Sequence, residues 1–79
     1  MENGMDIEAA VRKVICEKLQ KKPEEVTLEA RIIDDLGASS LDMFDLLTDL
    51  EEAFQIDIDD EANQIETVAD AIEYIKSKL

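Results

Sequence analysis

Two adjacent serines follow a glycine at the predicted start of a helix. Gly37 permits a sharp turn, and Ser39-Ser40-Leu41-Asp42 has the form of a capping box with Ser39 as the N-cap. A helix N-terminus offers unpaired N–H groups and the positive end of the helix dipole, and both favour a phosphate group. The acidic helix that follows would repel a free anion. The pattern therefore favours a phosphodiester attached covalently to a serine hydroxyl.

The acidic residues that follow are not balanced by basic ones. The 79-residue sequence has 21 Asp and Glu, 8 Lys and Arg, and a formal net charge of −13. Between Ile32 and Ile75 every charged residue is acidic. This charge excludes nucleic-acid binding through basic phosphate contacts and argues against docking on an anionic membrane.

The sequence lacks the residues that several kinds of chemistry require. The sequence has no histidine and one cysteine, which excludes a catalytic histidine, a histidine-based zinc site and an internal disulfide. We find no plausible nucleophile–base pair, so we expect a protein that is not an enzyme. The acidic run from Asp57 to Glu61 fails the calcium-loop pattern, because Ala62 and Val68 stand where Gly and Glu are needed. We expect no metal site, and Cys16 should be an inert, packed or half-exposed thiol.

Hydrophobic periodicity predicts three main helices and one short one. The first should begin after Asp6 and end before Pro23, the second should begin at Ser39 or Ser40, and the third should follow the N-cap Thr67. Short helical turns are expected near residues 23–26 and 61–65. The long connection between the first two helices, residues 21–38, should be a loop held on the core by aliphatic side chains: Val26, Leu28, Ile32, Ile33 and Leu36. The prediction is an all-α fold, a small up-down four-helix bundle (three main helices and one short) with a long first loop, as a single domain over residues 1–79.

The second helix carries two apolar stripes where one would suffice for packing. The main stripe consists of Met43, Leu46, Leu47, Leu50 and Phe54. The second stripe, Leu41, Phe44 and Thr48, is either an enlarged core face or an exposed contact surface. Acidic residues with no basic residues among them reduce the stability of a helix. We therefore favour the interpretation that these acids dock onto basic patches of enzymes over the alternative that they only solvate the helix face. The predicted docking residues are Leu41, Asp42, Phe44, Asp45, Thr48, Asp49, Glu51 and Glu52.

These features resemble the acyl carrier protein family over nearly the whole chain. Residues 35–42 read DLGASSLD, where family members typically read D-L-G-x-D-S-L-D. The similarity continues along the rest of the chain: Leu46, Leu50-Glu51-Glu52, Phe54, Ile56, Ile58, Thr67-Val68 and Ala71-Ile72-Tyr74-Ile75. The resemblance implies that a phosphopantetheinyl transferase modifies Ser40 from coenzyme A. It also implies a 4′-phosphopantetheine arm whose thiol carries acyl groups as thioesters. The implied partners are acyl-transfer and synthase enzymes, and the implied apolar interior can shelter the acyl chain.

One departure from the family lies beside the modified serine. Ser39 replaces the usual Asp, which in the family is thought to help hold the Mg²⁺ used by the transferase. Ser39 can still cap the helix, because a hydroxyl accepts from N–H groups as a carboxylate does. We assign the modification to Ser40 because Leu41-Asp42 follow it in the family register; the alternatives are Ser39, or two serines that only begin a helix.

We therefore predict a carrier of acyl intermediates in fatty-acid or specialised lipid biosynthesis. The alternatives are a carrier of aminoacyl, D-alanyl or polyketide cargo, and an unmodified acidic docking module. No apolar run approaches the roughly 20 residues of a transmembrane helix, and the start, Met1-Glu2-Asn3-Gly4, lacks the order of a signal peptide. We expect a cytoplasmic monomer.

Overall fold

The computed structural model describes residues 6–79, so the polar start at Met1-Glu2-Asn3-Gly4 lies outside the described residues. Three α-helices form the framework: α1 (Ile7–Leu19), α2 (Ser40–Phe54) and α3 (Val68–Lys78). Two short 3₁₀ helices lie in the connections, the first at Pro23–Glu25 and the second at Asp60–Gln64. No strand is found in residues 6–79 beyond one isolated backbone bridge between Arg31 and Thr67. The predicted all-α bundle with three main helices is confirmed, and its short helix is of the 3₁₀ type.

All three predicted N-caps are confirmed. The Asp6 carboxylate accepts from Ala9 N at 3.2 Å, and Ser39 and Thr67 each form a capping box. The C-termini of α1 and α2 were not predicted in detail: each ends in a glutamine with left-handed backbone, Gln20 at φ 57° and Gln55 at φ 55°. Glycine is the usual residue at such positions because it has no Cβ to clash.

The core is aliphatic and draws on the three α-helices, the second 3₁₀ helix and the connections between them. Its largest fully buried side chains are Val11, Ile15, Val26, Ile32, Leu46, Leu50, Val68 and Ile75. The two buried aromatic residues, Phe54 and Tyr74, are each 8% exposed. No charged side chain is buried within the described part of the chain. Burial of apolar surface, at about 25 cal/mol per Å², is therefore the main source of stability.

The long connection between α1 and α2 is an ordered part of the fold. Ile32 N donates to Glu66 O at 2.9 Å and Val68 N to Ala30 O at 3.0 Å, which ties the loop to the start of α3. The guanidinium of Arg12 donates to the carbonyl of Val26 at 2.9 Å. These bonds and the burial of its aliphatic side chains hold the loop in place.

The prediction that all five loop aliphatics pack on the core was wrong for two of them. Leu28 is 42% exposed and Ile33 46% exposed, whereas Val26, Ile32 and Leu36 are buried. The loop has no regular period, because its backbone turns repeatedly between residues 27 and 37. Apolar character alone therefore could not tell which side chains face inward.

No helix in residues 6–79 has the length and apolar character to cross a membrane.

Candidate functional site

The two serines before and at the start of α2 have different surroundings. Ser39 is the N-cap: its Oγ accepts from Asp42 N at 3.0 Å, and its own N–H donates to Asp42 Oδ2 at 3.1 Å. Its backbone is extended, with φ −85° and ψ 174°, as N-cap residues require. The Ser39 hydroxyl is thus occupied in holding the helix N-terminus.

Ser40 is the first residue of α2, and its side chain is exposed. Among residues 6–79 no group forms a hydrogen bond with its hydroxyl, and none accepts from the N–H groups of Ser40 and Leu41. These free N–H groups and the helix dipole favour negative charge at this end of α2. The site therefore fits a phosphodiester on the Ser40 hydroxyl without loss of any internal contact.

A tight turn before α2 positions the serine pair. Gly37 has φ 79°, a left-handed conformation that glycine adopts without strain. Its N–H donates to Ile33 O at 3.1 Å, and Leu36 and Ala38 on either side of it are buried. The Asp35 carboxylate accepts from Arg31 N at 2.8 Å and closes the same turn. The start of α2 is consequently held by the core rather than by a free loop.

The second apolar stripe of α2 faces solvent. Leu41 is 71% exposed and Phe44 66% exposed, while Leu46 and Leu50 of the main stripe are fully buried. The stripe is therefore an exposed surface and does not enlarge the core. Thr48, the third member, donates its hydroxyl to Phe44 O at 3.0 Å.

The predicted acidic docking residues divide into two groups. Asp45 and Glu52 are exposed. The other three carboxylates also make internal contacts: Asp42 in the capping box, Asp49 in an ion pair with Lys18 at 3.0 Å, and Glu51 by accepting from Ile58 N at 3.0 Å.

Lys18 is a residue of this surface that the sequence analysis missed. It comes from α1, outside the acidic segment. The hydrogen bond to Asp49, with the nearby charges of Asp49, Asp45 and Asp42, raises the pKa of Lys18. A signal was present, because Lys18 follows Val14 and Ile15 by four and three positions and so borders the stripe that packs on α2.

A second cluster, formed by Asp59, Tyr74 and Lys78, ties α3 to the connection after α2. The Tyr74 hydroxyl donates to Asp59 Oδ1 at 2.7 Å and accepts from Asp59 N at 2.9 Å, and Lys78 Nζ pairs with Asp59 Oδ2. Hydrogen bonds from Lys78 and then Tyr74 lower the pKa of Asp59, and burial raises the pKa of Tyr74. Within residues 6–79 no three His, Cys, Asp or Glu side chains are grouped so that they could hold a metal ion.

The single cysteine lies on α1. Cys16 is half-buried on α1 and packs against the core. Burial is the main cause that raises the pKa of its thiol. A raised pKa reduces the thiolate fraction, so Cys16 is a weak nucleophile near neutral pH.

Comparison with known proteins agrees with this geometry. The family model described as "Phosphopantetheine attachment site" matches residues 9–75. An acyl carrier protein from Desulforapulum autotrophicum is 54% identical over 76 residues, covering 94% of this chain and 99% of that protein. An acyl carrier protein from Borrelia garinii subsp. bavariensis is 46% identical over 74 residues, covering 92% of each.

A solved structure is similar over the same length. The acyl carrier protein from Enterococcus faecalis, described for its high thermal stability, superposes with a TM-score of 0.78 at 35% identity and covers 94% of this chain and 95% of that one. The family implies a covalently attached phosphopantetheine and interaction with synthase and transferase enzymes. On the family match, the identities and the shared fold, this chain belongs to the acyl carrier protein family.

Proposed function

We propose that this protein is a non-catalytic carrier that holds acyl groups as thioesters on a phosphopantetheine arm attached to Ser40. The observation that carries the proposal is the contrast between the two serines. The Ser39 hydroxyl is bonded to Asp42 N, whereas the exposed Ser40 hydroxyl has no partner among the described residues. The attached group supplies the thiol that carries the cargo.

Attachment uses the Ser40 oxygen as the nucleophile. The oxygen bonds to the phosphorus that bears pantetheine in coenzyme A, and the bond from that phosphorus to the bridging oxygen breaks, releasing the adenosine bisphosphate half. The chain has no histidine, and the nearby Asp42 carboxylate already accepts from Ser39 N. We therefore assign the base that takes the hydroxyl proton to the transferase.

Delivery needs contacts that form quickly and break easily. The exposed Leu41 and Phe44 offer a small apolar centre, and Asp45 offers an exposed charge about one and a half turns from Ser40. Each exposed ion pair contributes only about 0–1 kcal/mol, so acids on α2 accelerate and orient the encounter without making it tight. Such contacts suit a carrier that visits several enzymes in turn.

The cargo we favour is a fatty-acyl or related chain in fatty-acid or specialised lipid biosynthesis. Ser39 in place of the family's Asp favours a specialised carrier, because this departure is tolerated most easily where few enzymes must recognise the protein. Mass spectrometry of the thioester isolated from cells would distinguish this cargo from an aminoacyl, D-alanyl or polyketide unit.

The attachment itself is tested by incubating the protein with coenzyme A, Mg²⁺ and a phosphopantetheinyl transferase. We expect the mass to increase by one phosphopantetheinyl group. Ser40→Ala should abolish the increase, and the matched variant Ser39→Ala should still acquire the group.

Two results would contradict the proposal. One is an unchanged mass with several transferases. The other is a cellular protein with a bare Ser40 and full function in a Ser40→Ala strain, which would favour an unmodified docking module.

A further inference from the structure

A basic side chain from α1 compensates part of the acidic surface of α2. Lys18 Nζ lies 3.0 Å from Asp49 Oδ2, and the two side chains are 30% and 43% exposed. The pair borders an open groove of about 470 Å³ between the two helices, lined also by Val14, Glu17, Glu52 and Ala53. Asp49 is thus partly neutralised by the protein itself.

The acids of α2 therefore differ in the charge that they offer. In the second half of the helix Asp49 is paired with Lys18 and Glu51 accepts from Ile58 N at 3.0 Å, while Glu52 is exposed with no cation paired to it among residues 6–79. In the first half Asp45 is exposed, and no cation pairs with it among residues 6–79. The exposed apolar residues Leu41 and Phe44 lie in the same half.

We infer that Lys18 determines where partner enzymes dock on α2. By neutralising Asp49, it leaves Asp45 and Glu52 as the exposed, unpaired carboxylates of α2 within residues 6–79, and Asp45 is the one in the same half of the helix as Ser40. The partner that fits this surface has an apolar recess for Leu41 and Phe44 and a cation facing Asp45, and it needs none facing Asp49. This inference rests on the proposed carrier function.

The energetic reason is competition for one carboxylate. A partner's cation that approached Asp49 would have to displace Lys18, exchanging one exposed ion pair for another of similar strength. It would also be repelled by the displaced ammonium group, which cannot move farther than its side chain allows. At about 0.15 M salt the Debye length is about 8 Å, so both effects act at contact range. At Asp45 no ion pair within residues 6–79 has to be broken.

The experiment measures kcat/KM for phosphopantetheinylation by a transferase in four variants: Lys18→Gln, Asp45→Asn, Asp49→Asn and Lys18→Gln/Asp49→Asn. At low salt we expect Asp45→Asn to reduce kcat/KM about fivefold and Asp49→Asn by less than about 1.5-fold. Lys18→Gln, which frees Asp49, should raise it about two- to threefold, and the double variant should lose that gain. In 0.3 M salt the differences in kcat/KM between the variants should be roughly severalfold smaller.

Two controls separate this role from net charge and from folding. Lys13→Gln removes one positive charge from the exposed side of α1 and should not reproduce the gain. Lys18→Arg keeps a cation beside Asp49 and should behave as the wild type. A gain in Lys13→Gln equal to that in Lys18→Gln would contradict a specific role for Lys18.

A second readout needs no partner enzyme. The paramagnetic cation hexaamminechromium(III) broadens NMR signals of residues whose charge attracts it. In the wild type Asp45 should broaden at lower probe concentrations than Asp49, and Lys18→Gln should make the two equal. Equal broadening in the wild type would overturn the masking of Asp49 by Lys18.

The two proposals fail in different ways. An unmodified wild type would contradict the proposed function, and the cation probe would still decide whether Lys18 masks Asp49. If the wild type is modified normally but Asp49→Asn is modified as slowly as Asp45→Asn, only the role of Lys18 is contradicted.

Discussion

The hydroxyl of Tyr74 joins α3 to the connection that follows α2, and its removal tests the packing of that half of the molecule. Tyr74 is 8% exposed, so its ring belongs to the core while its hydroxyl reaches the Asp59 cluster. The hydroxyl donates to Asp59 Oδ1 at 2.7 Å and accepts from Asp59 N at 2.9 Å. Tyr74→Phe keeps the buried ring and removes both bonds.

The expected loss follows from the type of bond. A hydrogen bond with a charged partner contributes about 1.5–3 kcal/mol and one with a neutral partner about 0.5–1.5 kcal/mol. Water can reach this rim of the core and replace part of both, so for Tyr74→Phe we expect a loss of about 1–2 kcal/mol. In a domain of this size 1 kcal/mol corresponds to about 4–8 °C, so Tm should fall by about 5–15 °C.

The pH dependence provides an independent check. Lys78 and Tyr74 lower the pKa of Asp59 in the folded state. The stability that they contribute is therefore present above the pKa that Asp59 has in the unfolded chain, and it is lost as pH falls through the lower pKa of the folded state. The pKa of Tyr74 is raised, so the stability linked to its neutral form is lost as pH rises above about 10. The difference between wild type and Tyr74→Phe should be largest near neutral pH and shrink at both extremes.

Urea unfolding measures the loss in free energy of unfolding. Far-UV circular dichroism is the signal rather than tyrosine or tryptophan fluorescence, because the variant lacks the protein's only tyrosine and the chain has no tryptophan. Lys78→Gln and the double variant complete a cycle, in which the combined loss should be smaller than the sum of the single losses because both residues contact Asp59. A Tyr74→Phe protein within about 0.5 kcal/mol of the wild type, the range of neutral surface substitutions, would refute the reasoning.

Four further predictions concern the start of α2, the turn before it and the overall charge. Ser39→Ala removes the N-cap and should cost about 0.5–2 kcal/mol in urea unfolding, whereas Ser40→Ala should cost much less; equal losses would contradict the assigned roles. Ser39→Asp keeps a capping group and restores the family's carboxylate, so phosphopantetheinylation at limiting Mg²⁺ should be faster than in the wild type. Gly37→Ala should cost about 1 kcal/mol from backbone strain alone, because apart from Gly37 and its two chain neighbours no described residue has a heavy atom within 4 Å of the added Cβ; a loss well above this in calorimetry would indicate a steric clash instead. Salt and millimolar Mg²⁺ should raise Tm by screening the net charge of −13, and a Tm indifferent to both would show that repulsion is minor.

The helix starts could be predicted because their chemistry is local. Ser39 and Asp42 are three residues apart, as are Thr67 and Asp70, and each pair forms its reciprocal bonds whatever the rest of the fold does. The same holds for Asp6, whose carboxylate reaches Ala9 N within one turn. The proposed attachment at Ser40 uses the same local information, since the place of Ser40 relative to the cap needs no long-range contact.

Contacts between elements could not be predicted in this way. The acidic segment has no base along its sequence, yet Lys18 reaches Asp49 from α1 and Lys78 reaches Asp59 from the end of α3. Counting charges along the chain treats α2 as uniformly negative, because the partner of a carboxylate depends on which helices pack together. The exposure of Ile33 had the same origin, since the direction of a side chain in an irregular loop depends on the tertiary turn that holds it.

The carboxylates of this protein therefore serve two purposes, and the division affects both stability and recognition. Backbone N–H groups donate to the side chains of Asp6, Glu25, Asp35, Asp42, Glu51, Asp59 and Asp70. Several of these lie at helix N-termini, where the dipole compensates their charge. Self-repulsion should consequently be weaker than the net charge alone implies, and salt should stabilise the fold by less than a uniformly repelling chain would need. The charge left for partners is that of the exposed remainder, which on α2 consists of Asp45 and Glu52, because Lys18 compensates Asp49 between them.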